Sequence, residues 1–216
     1  MKQYLIVVAI IAFGVPAFGE SHVTNTFSLT IAPGMYKQDP AMFPDMNTPG
    51  AGLVVVGNEA FDNLKKGGEI IPSEPLCWTV ITTSEEVGSF ENSPVFLASY
   101  DKGFKSGFGN TKVENYQSSF VNKYNRNCVQ ASLLMYEGDL PINVTVISVP
   151  TVSGLVIISS NSTEKTAGDS FYNLVQSSMA ITADEPKSNA SGSGIAKIAG
   201  GLISVIIGIS LFARKR

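Results

Sequence analysis

Groups that ionise or attack near neutral pH are scarce in this chain. His22 is its only histidine, and Cys77 and Cys128 are its only cysteines, so they cannot supply a four-ligand Cys/His metal site. His22 also stands two residues beyond the expected mature terminus, where chains are poorly held, which makes it a poor general base or triad member. No Gly-x-Ser-x-Gly elbow, phosphate loop or dinucleotide fingerprint occurs. Glu85-Glu86, and Glu137 with Asp139, are the carboxylate pairs a glycosidase would use, but acids clustered in loops read as solvated surface. The sequence predicts a protein that is not an enzyme and holds no metal or cofactor.

Cations interleaved with aromatics are what the chain does concentrate. Residues 20–187 carry 18 acids against ten bases, a net of −8, while within 101–126 the bases Lys102, Lys105, Lys112, Lys123 and Arg126 face only Asp101 and Glu114. Phe104, Gly107, Phe108, Gly109, Tyr116, Phe120 and Tyr124 lie among them. Glycine keeps a loop adaptable, aromatic faces stack on sugars or side chains, and cations attract anions. One reading is an exposed loop in which Lys102, Phe104, Lys105, Phe108 and Lys112 engage an extracellular protein or an anionic glycan. The other places the aromatics in the core and leaves the lysines as ordinary solvated charges. Nucleic acid is disfavoured as a partner by the acidity of the rest of this region.

The cysteines and sequons fit a secretory route. In an oxidising compartment an even pair is expected to bond, so a Cys77–Cys128 disulfide is predicted, closing a loop that contributes about 4 kcal/mol in the chain-entropy model. Asn143, Asn161 and Asn189 each begin an Asn-x-Ser/Thr sequon, compatible with a glycoprotein.

The elements that must position these residues read as mainly β. Runs rich in Val, Ile, Thr, Phe and Tyr fall at 24–31, 53–56, 77–82, 95–100, 128–136, 142–149 and 154–159, separated by Gly, Pro, Asn and Asp. Seven short strands predict a single extracellular β-sandwich-like domain with one or two short helices. One helix begins after Asn58 as its cap, with Glu59 and Asp62 at its positive end, Lys65 and Lys66 at its negative end and Gly67 as its stop. A second covers 170–179, where a strand is the alternative. The antibody-domain pattern is absent, since Trp78 directly follows Cys77 and position 126 is arginine. The run Cys77-Trp78-Thr79-Val80-Ile81 is similar to the Cys-x-Trp strand of CUB-like domains over five residues, displaced by one, and implies no function.

Both ends are apolar. Residues 4–15 follow Lys2 and precede Ala17-Phe18-Gly19, which predicts a signal peptide over 1–19 cleaved before Glu20; an uncleaved anchor is the alternative, but the run is short for a membrane core of about 30 Å. The ectodomain is expected over 20–181, a flexible stalk over 182–194, a membrane helix over 195–213 and a basic cytoplasmic end at 214–216, giving a single-pass type I protein. The span is short, about 27 Å for residues 195–212, and Lys197 must snorkel to the outer headgroups. A lipid anchor attached in the Ser/Asn/Gly-rich segment 188–194 is the rival. Ala196, Gly200, Ser204 and Gly208 recur every fourth residue, a stripe that lets two membrane helices approach and so form a homodimer.

These observations define a membrane-tethered recognition or adhesion module, at the plasma membrane or another secretory-pathway membrane with its ectodomain outside the cytoplasm. The alternatives are a structural or assembly component acting through its membrane helix, and a secreted defence-type effector.

Overall fold

The computed structural model describes residues 20–39, 52–61, 76–83, 87–106, 108, 112–137 and 140–187. Residues 1–19, expected to form a signal peptide, the residues of the 195–213 segment including Ala196, Gly200, Ser204 and Gly208, the sequon at Asn189, Asp62, Lys65, Lys66 and Gly67 of the expected helix, and Glu85, Glu86 and Asp139 lie outside them. Among the described residues no helix is long and apolar enough to cross a membrane. The strands are β1 Ser21–Val23, β2 Phe27–Thr30, β3 Met35–Lys37, β4 Gly52–Asn58, β5 Leu76–Thr82, β6 Val113–Lys123, β7 Arg126–Glu137, β8 Leu140–Thr151, β9 Gly154–Ser162 and β10 Met179–Ile181; the helices are α1 Pro94–Ser106 and α2 Lys165–Ser178.

The fold is mainly β, with two sheets. Seven strands form one antiparallel sheet in the order β3-β4-β5-β9-β8-β7-β6, and β1, β2 and β10 form a smaller one in the order β1-β2-β10. The central strands are apolar on both sides: β9 is buried along all its length, as a strand covered on two faces requires. Alternation along each strand separates two cores. On one face Val55, Ile81, Val129, Leu133, Val146 and Ile157 pack beneath α1 and the ring of Phe90. On the other, Val56, Trp78, Val80, Val149 and Ile158 meet Phe27, Leu29 and Ile31 of the small sheet and Tyr172, Val175 and Met179 of α2. The architecture is therefore a sandwich of sheets on one side only, with the opposite face closed by a helix.

That helix replaces the strand expected at 95–100. Ser93 caps it, its Oγ accepting from the Phe96 N–H at 3.2 Å, and Pro94 occupies the first helical position, where its missing N–H costs nothing. Phe96, Tyr100 and Phe104 are its buried residues, a spacing of four that a helix aligns and a strand cannot. Asn58 does cap the start of the other expected helix, with its Oδ1 2.9 Å from the Phe61 N–H. In the preceding position, a Cβ on Gly57 would stand 2.3 Å from the Phe61 ring. The alternative left open at 170–179 resolves as helix, α2 ending at Ser178 and β10 following at once.

The disulfide is not formed. Cys77 belongs to the core beneath α1 and Cys128 to the core beneath the small sheet, and β9 and β8 separate their strands. Three strand spacings amount to about 14 Å, twice the Cα separation a disulfide tolerates. An even number of cysteines predicted a bond, but burial, which also favours thiols, explains both positions.

The composition assigns residues 182–184 to a flexible stalk, but their backbone is bonded to the domain. Thr182 and Ala183 donate their N–H groups to the Thr26 carbonyl at 2.9 and 3.1 Å, and the Val152 N–H donates to the Asp184 carbonyl at 2.9 Å. Residues 182–184 are thus fastened to the domain.

Candidate functional site

Among the described residues of the basic, aromatic stretch, 101–106 end a helix and 113–123 form an edge strand, and the aromatics expected in an exposed loop are buried. Phe104 and Phe108 are buried at 0% and 6% exposure. Their rings follow one another: Tyr100 stacks on Phe104 at a centroid separation of 5.8 Å, and Phe104 meets Phe108 edge to face at 5.2 Å. Neither can face a ligand; the hydrophobic effect took both into the core under α1.

The cations are dispersed. Lys102 and Lys105 are exposed on the outer side of α1. Lys105 Nζ lies 4.5 Å from the centroid of Tyr116 on β6, and the Tyr116 hydroxyl donates to Asp101 Oδ1 at 2.7 Å, beside the Ser118 hydroxyl at 2.6 Å. Burial and the Asp101 carboxylate push the Tyr116 phenol well above its ordinary pKa, so it remains a donor. Asp101 thereby ties α1 to β6. Lys112 belongs to the other face of the sheet. It pairs with Glu114 at 2.8 Å and sits over the Tyr136 ring at 4.4 Å, and Tyr136 also donates to Glu114. The bond from Lys112 is the main reason the Glu114 carboxyl is held below its ordinary pKa. Lys123 lies at the far end of β6, about 35 Å from Lys112 by strand rise.

Arg126 is not part of any surface. Buried at 8% exposure, it donates to the carbonyls of Tyr124 at 3.2 Å, Pro150 at 2.9 Å and Ala183 at 2.9 Å. It fastens three segments together, using the fork of donors that suits guanidinium to such a joint. Asn161 is also removed from the surface: at 7% exposure in a strand flanked by β5 and β8, it cannot carry a glycan in the folded domain. Asn143 is half-buried, and its amide donates to the Thr163 carbonyl at 3.4 Å.

The feature that composition conceals is the edge. β6 is the last strand of the large sheet, eleven residues long, and among the described residues nothing pairs with its outer side. The alternation of Tyr116, Ser118 and Phe120 is its signal in the sequence, masked by the glycines and lysines that precede it. At its end Tyr124 and Asn125 both have positive φ, 53° and 58°, as a two-residue type I′ turn demands. Such a turn makes Lys123 and Arg126 a hydrogen-bonded pair, so Gln117, Ser119, Val121 and Lys123 bond inward to β7, and Ser118, Phe120 and Asn122 direct N–H and C=O outward. Among the described residues no group of three His, Cys, Asp or Glu could hold a metal ion.

The described residues thus form an antiparallel sheet with a helix over one face and, among them, no strand paired to the outer side of β6. No protein-family model matches the sequence, and no curated protein matches it. Solved structures of similar chain path include the cyanobacterial PsbP protein, CyanoP, of Synechocystis sp. PCC 6803, with a TM-score of 0.44 and 16% identity over 79% of this chain and 95% of that one. LpqN of Mycobacterium tuberculosis, described as involved in cell envelope biogenesis, has a TM-score of 0.41 and 11% identity over 79% of this chain and 87% of that one. No residue role is taken from either.

Proposed function

We propose that this chain is a non-catalytic recognition module, held on the outer side of a secretory-pathway membrane by residues 195–213, that binds an anionic partner beside α1. One observation carries it: Lys102 and Lys105 are exposed one turn apart on the helix flanking the open edge of β6. In a region otherwise dominated by acids, they set a local positive field that steers an anionic partner. Aromatic contact is not part of this reading, since Phe104 and Phe108 support the helix from below.

The test uses full-length protein displayed on cells, comparing binding of soluble partner-cell membranes by wild type and Lys102→Glu/Lys105→Glu. A loss of about tenfold or more, with wild-type binding itself weakened by high salt, is the expected result. Unchanged binding by a correctly folded double variant would remove the reading. Assembly through the Ala196, Gly200, Ser204 and Gly208 stripe is the competing proposal. Replacing 195–213 with an unrelated span separates the two, because only the assembly role requires that sequence.

A further inference from the structure

We propose that the outer edge of β6 accepts an eighth strand, an extended acidic segment of a partner protein whose carboxylates, all on the face that carries α1, meet Lys102 and Lys105. The proposal rests on the recognition reading above and specifies the partner's chemistry. The two edges of the large sheet differ: β3 is three residues long, whereas β6 runs for eleven. Long bare edges invite pairing, and proteins usually blunt them with bulges, charges or a covering element. Here the register shift lies between Glu114 and Gln117, with Asn115 at a φ of 53°, so it interrupts only the first third. From Gln117 to Lys123 the ladder is regular, and Ser118, Phe120 and Asn122 offer alternate donors and acceptors to a new strand.

Helix α1 meets β6 through side chains on one face, with Phe96 against Phe120, and among the described residues no strand pairs with the outer side of β6. The Tyr100 hydroxyl meets Ser148 Oγ at 2.8 Å, so the helix reaches inboard as far as β8, two strands from the edge. Its Asp101 descends onto Tyr116 and Ser118 of β6, leaving Lys102 and Lys105 as a cationic rim. Lys123, in step with Val121, projects to the opposite face of the sheet and is not part of this rim, and the acid at the other end of the strand, Glu114, is already paired with Lys112.

The same charges argue against a second copy as the occupant. Antiparallel self-pairing centred on Ser118 would bring the two Lys102 side chains together, because Asp101 fixes that turn of α1 over Ser118; like charges so placed are destabilising. An acidic strand has the opposite sign. Backbone pairing would supply affinity and the rim would supply selectivity.

The test uses full-length protein in phosphatidylcholine nanodiscs and a peptide of roughly ten residues alternating valine and glutamate. Saturable binding is expected, with amide exchange slowed at Ser118, Phe120 and Asn122 in the wild-type protein. Asn122→Pro, which deletes one outward N–H at a position where an edge strand tolerates proline, should weaken binding about tenfold, while Asn122→Ala changes it by less than about twofold. A peptide alternating valine and lysine should not bind. Protection located elsewhere, or full binding by a folded Asn122→Pro, overturns strand addition. Should Lys102→Glu/Lys105→Glu still lose binding in that case, recognition survives and only its mode is wrong. Equal binding of heparin or phosphatidylserine vesicles by wild type and Asn122→Pro, with none of the acidic peptide, assigns the rim to a glycan or lipid and also overturns the proposal. Self-association abolished by Asn122→Pro assigns the edge to a second copy and overturns it as well. Indifference of every probe to all variants removes both readings.

Discussion

Two buried groups show how tightly single residues are specified. Tyr100 and Ser148 share a hydrogen bond in the core, each 1% exposed or less. Tyr100→Phe leaves the serine hydroxyl without that partner and should cost about 1–3 kcal/mol in urea unfolding. Adding Ser148→Ala should recover much of the loss, because removing both polar groups abolishes the unmet demand. Cys128 is more informative about pH. Burial pushes its thiol from 9.0 up to about 12. Between those values the unfolded chain has released the proton and the folded chain has not, so this contribution to stability is complete below pH 9 and is lost as pH rises towards 12. Cys128→Ala should flatten the beginning of the alkaline decline seen by chemical denaturation. Native protein at about pH 8 should also leave Cys128 unlabelled by a thiol reagent, since the thiolate is the reactive form.

At the level of elements, α1 is held to the domain by its apolar face, and its surface lysines contribute little to the fold. Phe104→Ala should destabilise by about 3–5 kcal/mol, as loss of a fully buried ring does, whereas Lys102→Glu should change stability by about 0.5 kcal/mol or less. The comparison in thermal or urea melts separates support from contact. Gly57→Ala should cost about 1–3 kcal/mol, because its methyl must displace the packed Phe61 ring. The strands β4, β5, β7, β8 and β9 are legible in the sequence because β-branched residues mark buried pleated surface. α1 is also legible in principle: Phe96, Tyr100, Phe104 and Phe108 recur every fourth residue behind Ser93-Pro94. A six-residue window at 95–100 catches aromatic richness but only part of that period, and so reads as strand. β6 is hidden for a different reason. An edge strand is half solvated, and this one is rich in Ser, Asn, Gln and Lys, a composition that in a linear chain resembles a loop. The opposite placement of the cysteines is also out of reach, since pairing order within a sheet is set by topology and not by spacing.

For the molecule as a whole, charge is distributed unevenly. The exposed lysines of α1 and β6 flank one margin of a sheet whose other margin is the three-residue β3, so the recognition proposed above would use one side. The partner's sequence is not written into that margin, because an open backbone edge specifies a direction and a spacing and only weakly the side chains that meet it.

The joint made by Arg126 also gives the molecule a mechanical character. A pull on the chain beyond Lys187 arrives first at Asp184 and Ala183, which are bonded to the β8–β9 turn, to Arg126 and to Thr26, before it reaches the three-residue β10. Tension is therefore divided between the two sheets at one end of the domain instead of peeling a single strand. Arg126→Gln should lower the force needed to detach residues 179–187 in single-molecule stretching while leaving the rupture of the seven-stranded sheet unchanged.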